Sequence, residues 1–543
     1  MNLLDRTIAY FSPAAAARRV AARKMLDIVN SGYDEGGASH SKKSMRGWTA
    51  IAGSPKDDID LNLPTLRARS RDLFMNAPLG TAALRTSKTN VIGPGLKLKP
   101  RIDAKFLGIS EEQADEWEQK VEREFLLWAE SKHCDALRMN DFYDLQAIAF
   151  LGCLLNGDAF AIFKRAKRET WMPYSLRLHL IEADRISTPW ASMTIGAGVE
   201  GKNPDNGNAI VSGVEIDNVG TTVGYWVANV YPITTGLDSA KPREWVRIEA
   251  FGSKTGRPNI LHLIDAERAE QRRGVPYLAP VIESLKQITR YTEAELMASV
   301  VAGMFTIFVK SQGPSSENPF GSMIPEEQKV AHSEPTVYEM GPGAINVLEP
   351  GEEIEVANPG RPNSQFDAFV SALCRYIGAA LEIPQELLQK SFQSSYSASR
   401  AALLEAWKMF RVRRAWMAKE FCQPVYEEWL AEAVAIGRVK APGFFVDPTI
   451  RRAWSKAEWN GPAPGQVDPL KEVSAAEKRI SLGLSTRERE TIELTGGDFD
   501  QNIKQLSREV QLMKESGLTI QQTEEGKGVN TGNEDEDETN THR

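Results

Sequence analysis

The chain has 543 residues, 42% hydrophobic and 25% charged, which is enough for two or more packed cores and ordinary for a folded chain. Its formal net charge of −8 is opposite in sign to that of a protein gripping duplex phosphates with Lys and Arg, and its longest uncharged apolar run, residues 296–309, falls short of the roughly 18 residues of a membrane span. Cys134, Cys153, Cys374 and Cys422 have wide, unequal spacing and no CxxC pair, which argues against a disulfide framework or a zinc cluster and for buried thiols.

Residues 14–24, rich in Ala and Arg behind Pro13, predict a surface helix, because they lack the apolar stretch and small-residue cleavage pattern of a secretion signal. Residues 30–60 are rich in Gly, Ser, Lys and Asp and predict a mobile polar arm. Ser110 and Gln113 form a capping box for a helix with Trp117, Val121, Phe125 and Trp128 on one face, and a second helix over 141–156 stops at Gly157. From 174 to 262 the period shifts toward two: Leu176, Leu178 and Leu180 alternate, and strands are predicted over 211–216 and 222–231, separated by Asp217, Asn218 and Gly220. This part of the chain is an α+β domain.

Pro276 and Pro280 suit a first helical turn, so a helix is predicted from near Val275 to about Gly303, about 42 Å long at 1.5 Å per residue. Its apolar stripe is Leu278, Ile282, Leu285, Ile288 and Tyr291. Residues 304–362, dense in Pro and Gly, hold strand-like pieces at 305–309, 336–340 and 354–357 and predict a small compact tip. A return helix over 363–381 carries Phe366, Phe369, Val370, Leu373, Ile377 and Leu381 and ends where Ile383 and Pro384 force the backbone out of helix. The two stripes can pack on each other.

Residues 384–397 form a polar passage containing Gln389, Lys390, Gln393, Ser394 and Ser395, predicted as a loop. The helix after it sets Arg400, Lys408, Arg411, Arg413, Arg414 and Lys419 against Glu405 and Glu420, with Leu403, Leu404, Trp407, Phe410 and Met417 on its packing side. A Pro/Gly connector at 461–465 leads to a helix opened by Asp468 and Pro469, and two more short helices follow, the last over 498–515. Residues 521–543, with the acidic run 534–538, predict disorder.

Catalytic patterns are missing. GSKTGRP at 252–258 lacks the glycine spacing and the terminal Gly-Lys-Ser/Thr that surround a phosphate and its magnesium, and predicts a turn. The six histidines form no HExxH pair, and no GxSxG elbow occurs. Asp57, Asp58 and Asp60 cluster in the polar arm without neighbouring ligand patterns, so no metal site is assigned.

Several long segments in one order carry a resemblance. RGVPYLAPVIESLKQ (273–287) and SYSASRAALLEAWKMFRVRRAW (395–416) are similar to signature segments of the lambda-type family of tailed-phage portal proteins. LRARSRDLFMNAPLG (66–80), GVEIDNVG (213–220), EIPQELL (382–388), FCQPVYEEWL (421–430), WNGPAPGQVDPLKE (459–472) and GLST (483–486) extend it over about 66–497. The resemblance implies an α+β, mostly helical, portal-type architecture. An N-terminal helix and flexible arm (1–65) precede an α+β wing (66–270), and stem helices (271–303 and 363–382) flank a small α/β clip (304–362). A tunnel loop (383–397), a long helix returning to the wing (398–460), a helical crown (461–520) and an acidic disordered tail (521–543) complete it.

What the resemblance implies about function is a non-enzymatic ring of twelve copies at one capsid vertex, with no cofactor, metal or membrane. Double-stranded DNA would pass through it without sequence specificity during packaging and ejection. The terminase large subunit would dock and leave, a head-tail connector would follow, and the major capsid or scaffold protein would surround the ring, in the virion and earlier in the host cytoplasm. By this analogy Gln389, Lys390, Gln393, Ser394 and Ser395 face the channel, and the acidic balance keeps the bore from holding phosphates. Arg400, Lys408, Arg411 and Arg414 are either a phosphate-facing or interprotomer belt or a solvated helix face. The alternatives are another phage structural protein, a scaffold or adaptor, and a packaging-associated nucleic-acid enzyme.

Overall fold

The structure, a computed structural model, describes residues 10, 12–15, 17–21, 43–45, 47–189, 200–231, 241–303, 307–310, 345–348, 365–392, 395–465 and 468–516. The chain divides into two compact units, Met1–Asp58 and Ile59–Arg543. In the first, residues 13–15 and 17–21 are helical and Lys43–Met45 form a 3-10 turn. Residues 30–42 and 46 of the predicted arm and the end of the predicted N-terminal helix lie outside the described residues, as does the acidic tail.

The second unit opens with α1 (Leu63–Asn76) and α2 (Pro78–Val91), each with proline in its first turn, where the missing N–H costs nothing. After β1 (Lys97–Pro100), α3 (Glu111–Ala129) starts on the expected capping box: the Ser110 hydroxyl accepts from the Gln113 amide, and the Gln113 side chain accepts from the Ser110 amide. The Asp141 side chain caps α4 (Phe142–Asn156), which ends at Gly157. The next strands are β2 (Asp158–Arg165), β3 (Leu176–Glu182), β4 (Glu200–Lys202), β5 (Ala209–Val211), β6 (Val214–Ile216), β7 (Thr222–Ala228), β8 (Trp245–Glu249) and β9 (Ile260–Ile264). They make two antiparallel sheets, β3-β2-β9 and β4-β5-β6-β7-β8.

Strand β2 shows why the sheets lie as they do. Its side chains alternate between faces, so Phe160 and Ile162 enter a core with Val214, Tyr225 and Val227 of the larger sheet. Ala159 and Ala161 turn to the helical core instead. That core is aromatic at its centre, with Phe125 edge-on to Trp429 at 5.1 Å and the Trp128 indole donating to the Leu176 carbonyl at 3.0 Å.

One strand expectation changes. The stretch predicted as one strand over 211–216 is a hairpin, because Ser212 and Gly213 both take positive φ (48° and 83°), as in the two-residue turn that matches strand twist. Residues 252–258 form the expected turn, closed by a bridge from Phe251 to Pro258.

The chain then enters α5 (Ile282–Gly303), β10 (Ile307–Lys310), β11 (Ile345–Leu348) and α6 (Phe366–Ala380). The first long helix starts later than expected: Ala279–Val281 form a 3-10 turn, so α5 is about 33 Å long at 1.5 Å per residue instead of 42 Å. Strands β10 and β11 pair in parallel, and β11 lies where no strand was predicted. The predicted strands at 336–340 and 354–357 lie outside the described residues.

The C-terminal part holds α7 (Gln385–Gln389), α8 (Tyr396–Met417), α9 (Gln423–Ala435), α10 (Pro448–Ser455), β12 (Ala457–Asn460), α11 (Pro469–Ser481), α12 (Arg487–Thr495) and α13 (Phe499–Glu515). Helices α8 and α9 run on through a π turn, Ala418–Cys422. Asp468 caps α11 as expected, and β12 pairs with β1. All four cysteines are buried and free.

Candidate functional site

The two long helices lie side by side and antiparallel. Near the start of the first, the Tyr277 hydroxyl donates to the carbonyl of Leu381, just past the end of α6. Four turns further on, Tyr291 stacks on Phe366 (5.7 Å, 22°) and meets Phe369 edge-on (4.9 Å, 67°), at the start of α6. Leu278, Leu285, Ile288, Ile377 and Leu381 are buried in the main core, as their shared stripes require, whereas Phe369 is 47% exposed.

The base of this pair is fixed by a buried ion cluster that sequence reasoning missed. Arg273, 1% exposed in its side chain, donates from Nε to Asp158 Oδ2 at 2.6 Å. Its Nη1 reaches the carbonyls of Ile186 (2.9 Å) and Ser212 (2.5 Å), and Nη2 that of Ala183 (2.8 Å). Arg67 bonds Asp158 Oδ1 at 3.0 Å and the Asn156 carbonyl at 2.9 Å, and Arg71 pairs with Asp184 at 2.6 Å. One carboxylate thus joins α1, the α4–β2 corner and the segment leading into α5.

The electrostatics follow from burial and charge. Burial alone would raise the Asp158 pKa, but Arg273 and Arg67 hold it far below the usual carboxylate range. Burial pushes Asp60 up to about 6, with Arg273 pulling the other way, and burial with Arg273 lowers Arg67 to about 10. Asp60, 3% exposed, therefore belongs to this cluster and not to a solvated arm, which corrects the expectation for it. The signal was present in α1: Arg67 sits on the same face as Leu63, Ser70 and Leu73, a charge at a core position.

Two glycines permit the crossing. A Cβ on Gly157 would lie 2.2 Å from the Gly274 carbonyl oxygen, and one on Gly274 would lie 1.9 Å from that of Gly157. The backbones of the α4–β2 corner and of the segment after Arg273 touch there, with no room for a side chain.

The polar passage at this base is shorter and more ordered than expected. Residues 385–389 form α7, whose Leu388 is buried, and Gln389 is hydrogen-bonded to Gln385 at 2.9 Å. Lys390 closes that helix in the left-handed region (φ 54°), where few non-glycine residues sit. Its side chain is exposed beside Met75, Thr81 and Arg85 of α1 and α2. Gln393 and Ser394 lie outside the described residues, and Ser395 is the N-cap of α8, its hydroxyl accepting from the Ala398 amide at 3.4 Å.

The basic helix residues separate into different roles. Arg414 is turned into its own chain, donating to the carbonyls of Asn90 (2.9 Å), Val91 (3.2 Å) and Pro462 (2.8 Å), and burial lowers its pKa to about 10. Arg400 pairs with Glu472 at 3.9 Å and Arg411 with Glu493 at 3.8 Å, tying α8 to α11 and α12. Lys408 is solvated and, among the described residues, pairs along its own helix, with Glu405 at 2.6 Å. Arg413 covers the Tyr277 ring at 4.3 Å.

An α+β body carrying an antiparallel two-helix stalk, with an insert between the helices and a short polar segment at their base, is the architecture of a phage portal subunit. Residues 41–414 match the family described as phage portal protein, lambda family, and the chain belongs to that family. It is 26% identical to portal protein B of Escherichia phage lambda over 512 residues, 90% of this chain and 91% of that one. It is also 26% identical to the portal protein of Escherichia phage N15 over 511 residues, with the same coverage. A chain of the solved structure described as "Neck of native GTA particle computed with C12 symmetry" is 12% identical, with 82% of this chain and 96% of that chain covered and a TM-score of 0.37, a likeness too loose to bear on assembly. No described helix is long and apolar enough to cross a membrane, and no described group of His, Cys, Asp or Glu is placed to hold a metal ion.

Proposed function

We propose that this portal protein is a non-enzymatic DNA conduit: twelve copies close into a ring at one capsid vertex, with the α5–α6 stalks around a common bore. The observation that carries this reading is the stalk pair itself, locked at its base by Arg273 and Asp158 and bound laterally through Tyr291, Phe366 and Phe369. A rigid rod fixed to a folded body can stack against its copy in a neighbour, and head-to-tail contacts of this kind make a ring when their rotation closes on a full turn. Gln389, Lys390 and Ser395, at the base of the rod, are the described candidates for the loop facing the DNA. A net charge of −8 suits a path along which phosphates slide.

Double-stranded DNA passes in during packaging and out during ejection, moved by the ATP hydrolysis of a separate terminase. The terminase large subunit and later a head-tail connector engage the tip formed by residues 304–362, and the major capsid or scaffold protein surrounds the body. The ring forms in the host cytoplasm and ends in the virion.

Native mass measurement with particle imaging tests the ring: twelve times 60.2 kDa gives about 720 kDa around a central hole, and a compact monomer at assembly concentrations refutes it. For the loop, Lys390→Gly keeps the left-handed backbone while removing the charge. Rings of normal mass with impaired DNA packaging or retention are expected, and unimpaired packaging removes Lys390 from the channel.

A further inference from the structure

The C-terminal helices leave two apolar stripes open. On α13, Phe499, Ile503, Leu506, Val510 and Met513 recur at alternating steps of four and three, the seam spacing that fits a second helix. Ile503, Leu506 and Met513 are 46%, 54% and 39% exposed, and none of the 17 residues of α13 is buried. On α11, Leu470 and Val473 are 83% and 53% exposed, with Ile480 following two turns on.

Neither helix is loose. Arg479 joins α11 to α12 through Glu490 at 2.8 and 2.6 Å, and Arg400 reaches Glu472 of α11. The start of α13 is held by Lys99, whose Nζ lies 2.9 Å from Asp498 and 3.0 Å from Asp500, and Lys504 reaches Gln119 at 3.4 Å. The main contacts run from α11 to α12 and from α12 to α13, which leaves both stripes facing outward at fixed positions.

We propose that α13 of one copy packs its stripe along the α11 stripe of the next, an inference that rests on the ring reading above. The occupant is a second copy because the chain itself supplies both halves: a helical seam, and a helix with an exposed apolar edge. The charges agree, since Glu477 interrupts the α11 stripe while Lys504 and Arg508 flank that of α13, all three exposed. Contact between two different faces repeats around a ring, whereas α13 against α13 stops at a pair.

Cysteine pairing in the full chain tests it, with little background because the four native thiols are buried. Leu506→Cys is combined in turn with Leu470→Cys, Val473→Cys and Ile480→Cys and oxidised mildly. A ladder of covalent multimers on a denaturing gel is expected from at least one pair, and none from Leu506→Cys alone. Intact rings with no ladder from any pair, a cross-linked monomer, or a dimer from the single variant overturns the inference. As a second measurement, Leu506→Asp should keep the wild-type circular dichroism, since the residue is already exposed, while shifting mass from the ring to the 60.2 kDa chain. Full ring yield from Leu506→Asp overturns the inference and leaves the proposed function standing; a wild-type chain that never forms a ring sinks both.

Discussion

Replacing Asp158 by Asn isolates what the buried ion cluster contributes. The substitution keeps size and some hydrogen bonding, but it removes the negative charge facing two guanidiniums, Arg273 at 2.6 Å and Arg67 at 3.0 Å, whose side chains are 1% and 6% exposed. Leaving buried charge without its partner costs about 3–5 kcal/mol, a large share of the roughly 5–15 kcal/mol that holds a typical domain folded. The expected result is a fall of about 3–5 °C in the calorimetric transition, because about 2.1 cal/mol/K per residue over the unit Ile59–Arg543 makes roughly 1 °C per kcal/mol. Arg273→Lys should cost less, about 2 kcal/mol, because the charge survives while one ammonium cannot reach Asp158 and three carbonyls together. Because the Asp158 pKa is lowered on folding, its contribution is present above the unfolded value near 4 and is lost as pH falls through the folded one. An Asp158→Asn chain within about 1 kcal/mol of wild type at pH 7 would refute the reasoning, since an isolated buried charge cannot be that cheap.

Asp60 should act with the opposite sign. Its pKa rises on folding to about 6, so the folded state holds the extra proton between about pH 4 and 6 and stability from this group falls as pH rises through that window. Asp60→Asn should therefore gain on wild type from pH 4 to pH 7 by up to about 3 kcal/mol at 1.36 kcal/mol per unit, and denaturant curves at the two pH values with no relative change count against it. Gly157→Ala and Gly274→Ala should each lose folded yield, because the new methyl would sit 2.2 or 1.9 Å from a backbone oxygen; Gly152→Ala, whose methyl would meet Ala159 at an ordinary 3.4 Å, serves as the control, measured by soluble expression and Tm. In the second stalk helix, Ile377→Asp should be more damaging than Leu373→Asp, by about 2 kcal/mol or more, because Ile377 is fully buried and Leu373 only half-buried. Equal melting temperatures for the two variants would place the helix in a different rotation.

Local rules in the sequence determined where many elements begin and end. The Ser110–Gln113 box, Asp141 and Gly157 around α4, and Asp468–Pro469 are readable because a cap is made within a few residues of the helix it serves. The paired stripes of the stalk were legible for the same reason, since one face at helical period implies something to bury it against. The hairpin at Ser212–Gly213 was within reach, but the apolar residues around it, Val211, Val214 and Ile216, read as one strand and hid a turn made by positive φ at two positions.

Other features depend on partners far apart in the chain. Arg67, Asp158 and Arg273 look like three unrelated charges until the fold brings residues 91 and 115 positions apart into hydrogen-bond contact, and only then does Asp60 become a buried acid. Arg414 shared a basic helix with Lys408, yet tertiary packing placed one on backbone carbonyls and left the other in water, because a helix face shows its neighbours only once they are packed against it. The polar passage before α8 likewise became a short helix when Leu388 found a core to enter, a choice made by burial and not by the polarity of its sequence.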